Sequence, residues 1–120
     1  MKTRIWLIVF TLCLGACGFS LTGGCDDTIK AEAKSPDGKY VATCYVRDCG
    51  ATTDFSTVIN LRASSDKFNG EAAPVFVVKG QPKVKISWSR DAQLRIECLE
   101  CISKDIFTQE ESWKEITISY

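Results

Sequence analysis

Histidine is absent from this chain of 120 residues. Ser–His and Cys–His nucleophile pairs therefore cannot be built from it, and the commonest metal-binding side chain is missing as well. Positive charge is not clustered either, since 15 Lys and Arg residues are scattered among 15 Asp and Glu residues. Nucleic-acid binding, which needs clustered positive charge, is disfavoured. No glycine-rich phosphate loop occurs, and we expect no cofactor and no metal site.

Long apolar runs are also missing, except near the N-terminus. Residues 5–14 are apolar and uncharged and follow Lys2 and Arg4, which is the pattern of a signal peptide. The run is too short to cross a bilayer, which takes about 20 apolar residues. We therefore expect an exported protein without a transmembrane helix.

The segment Leu14-Gly15-Ala16-Cys17 closes this run and resembles the bacterial lipobox. Two small residues fit a narrow peptidase site, and the cysteine sulfur accepts the acylated glycerol. Ordinary signal peptidase prefers a small residue where Leu14 stands, so a plain secretory signal is the weaker alternative. We predict a signal peptide over residues 1–16, a lipidated Cys17 with a flexible tether over residues 17–27, and one small domain over residues 28–120.

Lipidation at Cys17 would anchor the protein to a membrane of the bacterial cell envelope through palmitate-type chains. Removal of Lys2 and Arg4 with the signal peptide leaves a mature net charge of −2. Gly18 at the second mature position is typical of sorting to the outer membrane. In a Gram-negative host we therefore expect an outer-membrane lipoprotein that faces the periplasm.

Short segments with period-two alternation follow one another after the tether, and no segment keeps a helical period. In the first of them, Ile29, Ala31 and Ala33 are expected on one buried face. The pattern predicts an all-β fold: a small antiparallel meander, sandwich or partly open barrel of about seven strands. The predicted strands are Thr28–Lys34, Lys39–Arg47, Phe55–Arg62, Pro74–Lys79, Lys83–Ser89, Gln93–Cys98 and Lys114–Tyr120, and Ile106–Glu111 is open to a short strand followed by a loop.

Seven cysteines suggest covalent stapling of this small domain. Cys13 leaves with the signal peptide and Cys17 takes the lipid, so five remain for disulfides. A hairpin around residues 35–38 would bring Cys25 and Cys49 together at its open end. Cys44 lies on the apolar face of its strand and can remain a buried thiol. Sequence alone leaves fifteen ways to form two bonds, and a weak repeat between two hairpins also allows a Cys44–Cys98 bond.

Cys98 and Cys101 form a Cys-x-x-Cys pair, which admits two further interpretations. A thiol–disulfide oxidoreductase needs a stabilised thiolate, but Glu97 and Glu100 flank the sulfurs and would disfavour it. A zinc site of Cys44, Cys49, Cys98 and Cys101 is the other interpretation, and an oxidising compartment favours disulfides over it. We expect Cys98 and Cys101 to bond to each other.

The most specific segment of the chain, Arg47-Asp48-Cys49-Gly50-Ala51-Thr52-Thr53, carries a resemblance together with Ser35-Pro36-Asp37-Gly38-Lys39-Tyr40, Ser56-Thr57, Val75-Phe76-Val77, Trp88, Leu94 and Ile96. On these motifs the chain resembles a family of small, uncharacterised bacterial lipoproteins over most of residues 25–120. The resemblance implies an all-β envelope protein and no particular activity.

The loop at the end of the second predicted strand offers Arg47, Asp48, Gly50, Thr52 and Thr53 as candidate binding or structural residues. These residue types are also the usual turn formers, so the structural role is favoured. We expect a non-enzymatic envelope lipoprotein that binds an unknown protein partner or supports the envelope. The alternatives are an inhibitor of a secreted hydrolase and, in another class, an oxidoreductase that uses Cys98 and Cys101.

Replacement of Cys17 by alanine tests the anchor. Cys17→Ala should leave an uncut or soluble precursor, because the acceptor sulfur is gone, and detergent phase partitioning with mass spectrometry measures this. A variant that still partitions into detergent at its mature mass would contradict lipidation at Cys17.

Overall fold

A computed structural model describes residues 24–120 as nine β-strands in two sheets packed against each other. The predicted signal peptide, Cys17 and most of the tether lie outside the described residues. The all-β prediction is confirmed, and the architecture is a sandwich that does not close into a barrel. The strands are β1 (Asp26–Lys34), β2 (Tyr40–Asp48), β3 (Ser56–Ala63), β4 (Phe76–Lys79), β5 (Lys85–Arg90), β6 (Gln93–Glu97), β7 (Ile106–Gln109), β8 (Ser112–Trp113) and β9 (Ile116–Ser119).

The first sheet is antiparallel and has the strand order β1-β2-β3-β4-β7, and the second has the order β5-β6-β9-β8. The one helical element within residues 24–120 is a 3₁₀ turn at Ser103–Asp105. No helix in this part of the chain is long and apolar enough to cross a membrane. One pair, β6–β9, is parallel, because the chain leaves β6, adds β7 to the first sheet and then returns to the second.

The core lies between the two sheets and follows the period-two pattern of the sequence. Ala42 and Cys44 of β2 face inward with Ile59 and Leu61 of β3, and all four are almost fully buried. The second sheet supplies the opposing layer. Its buried members are Leu94, Ile96, Ile116 and Ile118.

Strand β1 departs from its predicted burial. The pairing with β2 shifts between Ile29 and Ala31, so the alternation of faces is interrupted there. Ile29 consequently stands opposite Tyr45, on the outer face of the sheet, and is 45% exposed. The prediction that Ile29, Ala31 and Ala33 form one buried face is therefore wrong, because a bulge at an edge strand is not visible in an alternating sequence.

The β1–β2 hairpin turns where the sequence predicts. The Gly38 N–H donates to the Ser35 carbonyl (2.8 Å), and Gly38 has φ +75°, which glycine adopts without strain. The Asp37 carboxylate accepts hydrogen bonds from the Ser35 hydroxyl (2.7 Å) and the Lys39 N–H (3.1 Å). These two bonds lower the pKa of Asp37.

The sandwich has two distinct ends. We call the end that holds the start of β1, the end of β2 and the start of β3 the Cys25 end, and the opposite one the Tyr40 end. At the Tyr40 end the Trp88 indole N–H donates to the Ala33 carbonyl (2.9 Å) and joins the two sheets. Tyr40 also contacts Trp113 edge to face, with ring centroids 5.8 Å apart, and donates its hydroxyl to Glu115.

Trp88→Phe should lower the free energy of unfolding by about 1 kcal/mol beyond the loss of ring area, because the bond that links the sheets disappears. Urea unfolding measures this. The matched control is Trp113→Phe, whose indole N–H makes no protein hydrogen bond within residues 24–120. Equal losses in the two variants would show that the Trp88–Ala33 bond contributes nothing.

Candidate functional site

The predicted Arg47–Thr53 loop separates into an anchored residue and an exposed turn. Arg47 still belongs to β2 and reaches across to β1, where its guanidinium binds the Asp27 carboxylate through two bonds of 2.8 and 2.9 Å. The same guanidinium donates to the Gly70 carbonyl (2.6 Å). Bonding to Asp27 raises the pKa of Arg47, although partial burial acts in the opposite direction.

Gly70 belongs to the long segment between β3 and β4, residues 64–75, which we call the strap. The strap packs on the outer face of the first sheet. Phe68 stands edge-on to Tyr45 with centroids 5.0 Å apart, and the Tyr45 hydroxyl donates to Gly70 (3.2 Å). A Cβ at Gly70 would collide with the Asp27 carboxylate, so this close approach requires glycine. The strap therefore forms a third layer over part of the sheet.

The remaining loop residues form a local turn on the surface. Asp48 accepts the Gly50 N–H (3.0 Å), and Thr53 donates both its N–H and its hydroxyl to the Gly50 carbonyl (3.2 Å each). Gly50 has φ +125°, a conformation that other residues rarely adopt. Thr52 is exposed and does not join these bonds. The turn orders its own backbone and does not converge on a site.

The cysteines pair as the hairpin argument predicts. Cys25 is bonded to Cys49 and Cys98 to Cys101, which leaves Cys44 as a free thiol in the core, 4% exposed. Burial raises the pKa of the Cys44 thiol, so it stays protonated and unreactive. The four-cysteine zinc interpretation is excluded by this pairing. Within residues 24–120 no three His, Cys, Asp or Glu side chains are arranged to hold a metal ion.

The Cys98–Cys101 pair lies in a turn between β6 and the 3₁₀ turn. The N-terminus of a longer helix, which lowers the pKa of a reactive cysteine in oxidoreductases of this motif, does not follow it. Glu97 precedes the pair and Glu100 lies inside it. The two glutamates disfavour a thiolate at this pair.

A different feature, which the sequence does not predict, is an open notch in the first sheet. Strand β4 pairs only with the Ser56–Ile59 part of β3, so residues 60–63 have no partner strand on that side, although the Ala63 carbonyl accepts the Asp66 N–H (3.0 Å). An open cavity of about 300 Å³ lies there, which we call the Leu61 notch. It is lined by Asn60, Leu61, Arg62, Ala63, Asp66, Lys67, Asn69, Ala72, Trp113 and Lys114.

The backbone of Leu61 points into this notch. On the β4 side of β3 the Phe55 carbonyl accepts from Gly80 and the Ile59 carbonyl accepts from Val75. Because alternate residues of a strand direct their N–H and C=O groups to the same side, Leu61 must point to that side as well. No backbone bond to Leu61 is present there within the described strap and strands. Leu61 thus has one backbone donor and one acceptor without a described partner at the base of the notch, where the residue itself is 2% exposed.

An unpaired buried atom lies beside this edge. The Asn60 side chain donates to the Asn69 carbonyl (3.0 Å), but its Oδ1 atom is buried and has no hydrogen-bond partner in the structure. Buried polar atoms without partners are rare in folded proteins, and an ordered water or another bound group commonly supplies the missing partner. The notch therefore lies against three polar groups that still need partners.

Positive charge predominates at the notch, where Arg62, Lys67 and Lys114 outnumber Asp66. Arg62 is held by Glu32 (3.0 Å), but Lys67 and Lys114 have no carboxylate within ion-pair distance in the described part of the chain. The Lys114 ammonium lies 4.9 Å from the centre of the Trp113 ring, and Lys114 has φ +53° in the tight β8–β9 turn. The site thus combines an open backbone edge, an aromatic ring and two uncompensated cations.

No protein family, curated protein or solved structure matches the chain.

Arg47→Lys should lower the free energy of unfolding by about 1–2 kcal/mol, because lysine cannot form the paired bonds to Asp27 and also reach Gly70. Asp48→Ala should cost less than about 1 kcal/mol, since its bond is exposed. Arg95→Lys, at a surface ion pair with Glu97, is the control and should change stability by less than about 0.5 kcal/mol. Chemical denaturation measures all three, and an equal loss for Arg47 and Arg95 would contradict the anchoring role.

Proposed function

We propose that this protein is a non-enzymatic, membrane-anchored envelope lipoprotein that binds an extended acidic segment of a partner protein at the Leu61 notch. The observation that carries the proposal is the uncovered edge of β3 at Leu61. A peptide in β conformation supplies the C=O and N–H groups that such an edge needs.

The notch has the dimensions of a short added strand. Residues 60–63 span about 13 Å of strand, so a bound segment of about four residues would continue the line of β4. Its backbone would pair with Leu61, and a side chain would pack on Trp113. Lys67 and Lys114 at the rim favour Asp or Glu in the segment, and they would accelerate its encounter with the notch.

The position of the notch suits a tethered protein. It lies toward the Tyr40 end, whereas residue 24, where the tether would enter, lies at the Cys25 end. Strand β3, with 8 residues, separates the two ends by roughly 27 Å. A partner can therefore approach from the side away from the membrane.

The disulfide at the start of the domain also supports a tether. Strand β1 is an edge strand, and tension on a lipid-anchored N-terminus would peel it from β2 one residue at a time. The Cys25–Cys49 bond lies directly before β1 and directly after β2, so it would carry that tension. It also encloses a loop for which the chain-entropy model gives about 3 kcal/mol of stabilisation.

Different structural features bear on the two alternative functions. An inhibitor of a secreted hydrolase needs a rigid exposed loop, and the disulfide-closed turn that carries Leu99 has that shape. An oxidoreductase needs a stabilised thiolate, which the surroundings of Cys98 and Cys101 do not favour. The notch is preferred as the binding site because it combines a short unpaired stretch of backbone, the Trp113 ring and two lysines without an ion pair among the described residues.

A peptide titration tests the proposal on the lipidated protein in detergent micelles. A fluorescently labelled hexapeptide of alternating Val and Glu should bind, whereas its Val–Lys counterpart should not, and fluorescence anisotropy measures both. The double variant Lys67→Glu/Lys114→Glu should weaken binding by about tenfold or more.

The matched control is Lys30→Glu/Lys104→Glu, which changes the net charge equally away from the notch and should bind within about twofold of the native protein. Equal weakening in both double variants, or equal binding of the two peptides, would contradict a site at the notch. Binding of a soluble glycan on Trp113 in place of the peptide would also overturn the proposal.

A further inference from the structure

The exposed large apolar side chains of residues 24–120 concentrate at one end of the sandwich. Leu99 is 94% exposed, Phe107 62% and Ile102 51%. The remaining exposed members of the set are Ile29, Phe55 and Tyr120. Large exposed apolar surface marks an interaction site in a soluble domain.

The first sheet places two of these residues at the Cys25 end. Phe55 directly precedes β3, whose first residue pairs with Arg47 near the end of β2. Ile106 of β7 pairs with Val78 of β4, which itself pairs with Thr57. Phe107 therefore lies on the edge strand within the half of the sheet that contains the Cys25 end.

The second sheet brings Leu99 and Ile102 to the same end. Trp88 pairs with Leu94 and is bonded to Ala33 at the Tyr40 end, so β6 starts near that end and runs away from it. Glu97 and the Cys98–Cys101 turn follow at the opposite end. Ile102 then leads through the 3₁₀ turn directly into β7.

The predicted tether enters at this end too. Cys25 is disulfide-bonded at the start of β1, and only eight chain steps separate it from Cys17. A fully extended chain of that length reaches about 28 Å, so a lipid on Cys17 would hold the Cys25 end close to the bilayer.

We propose that the Cys25 end docks on the bilayer itself, with Leu99, Ile102 and Phe107 inserted among the lipid headgroups and upper acyl chains. The inference rests on the lipidation in the proposed function and adds a second contact to it. The disulfide fixes the turn that carries Leu99, so little conformational freedom is lost when the leucine enters the membrane. Docking also fixes the orientation of the domain and presents the Leu61 notch away from the membrane.

The charges around Leu99 point to an apolar rather than an electrostatic contact. Lys83 and Lys85 line a shallow hollow with Leu99, but Glu97 and Glu100 line it as well. Opposite charges in equal number give no net attraction to anionic lipid. Insertion should therefore occur in zwitterionic membranes and depend little on salt.

The experiment uses the lipidated full-length mature protein on phosphatidylcholine vesicles with and without bromine on the acyl chains, because bromine quenches tryptophan that enters the membrane. Leu99→Trp should lose emission in the brominated vesicles and shift to shorter wavelength. Lys67→Trp, at the notch, is the matched control. Its emission should be equal in both kinds of vesicle, as in the native protein, whose Trp88 and Trp113 lie away from the docked end.

The outcomes separate the two claims. Native protein that does not sediment with vesicles would overturn the lipid anchor. Native protein that sediments, with Leu99→Trp emission equal in both kinds of vesicle, would keep the anchor and overturn docking, and would return Leu99 to the inhibitor hypothesis. Quenching of Leu99→Trp together with Lys67→Trp would overturn the proposed orientation.

Discussion

Arg47 connects three parts of the chain that would otherwise be independent. Arg47 lies in β2. Its guanidinium binds the Asp27 carboxylate of β1 and donates to the Gly70 carbonyl of the strap. The strap begins directly after the last residue of β3, and it bonds to the β4 side of β3 at Ile59 only through its own last residue, Val75. The position of the strap therefore determines which part of β3 pairs with β4. Because the strap is held over the outer face, it does not pair with Leu61, and the notch stays open. The open notch thus depends on an ion pair that lies outside it.

The two ends of the sandwich carry different kinds of side chain, so the molecule is asymmetric along the direction of its strands. The Cys25 end holds the Cys25–Cys49 disulfide and most of the exposed apolar side chains of residues 24–120. The other end is closed by aromatic and hydrogen-bonded contacts of Trp88, Tyr40 and Trp113. An open sheet edge usually invites unwanted pairing between copies of a chain. Here the strap and the lysines restrict the open edge to a few residues, which limits what can bind there.

The strand pattern and the disulfide pairing were accessible from sequence because each rests on local periodicity. The predicted strands correspond to observed ones, and the hairpin brings Cys25 to Cys49 as the register requires. The sequence did not reveal three features that tertiary contacts determine: the bulge in β1, the parallel β6–β9 pair and the packing of the strap.

The sequence identified Arg47 as a candidate site residue, but its partners Asp27 and Gly70 are more than 19 residues distant along the chain. The notch was missed because Leu61 looks like any other core residue in an alternating strand. The only hint was that the segment before Lys79 is shorter than the strand it pairs with.

The central claim is that the backbone of Leu61 is available to a partner and becomes paired when one binds. Amide hydrogen exchange, followed by NMR on the lipidated protein in micelles, measures this at a single residue. We predict that the Leu61 N–H exchanges faster than the N–H groups of Val58 and Asn60 in the free protein. Its exchange should slow strongly when the acidic peptide is added. A Leu61 amide that is already protected without peptide, or that exchanges equally fast with it, would contradict the account.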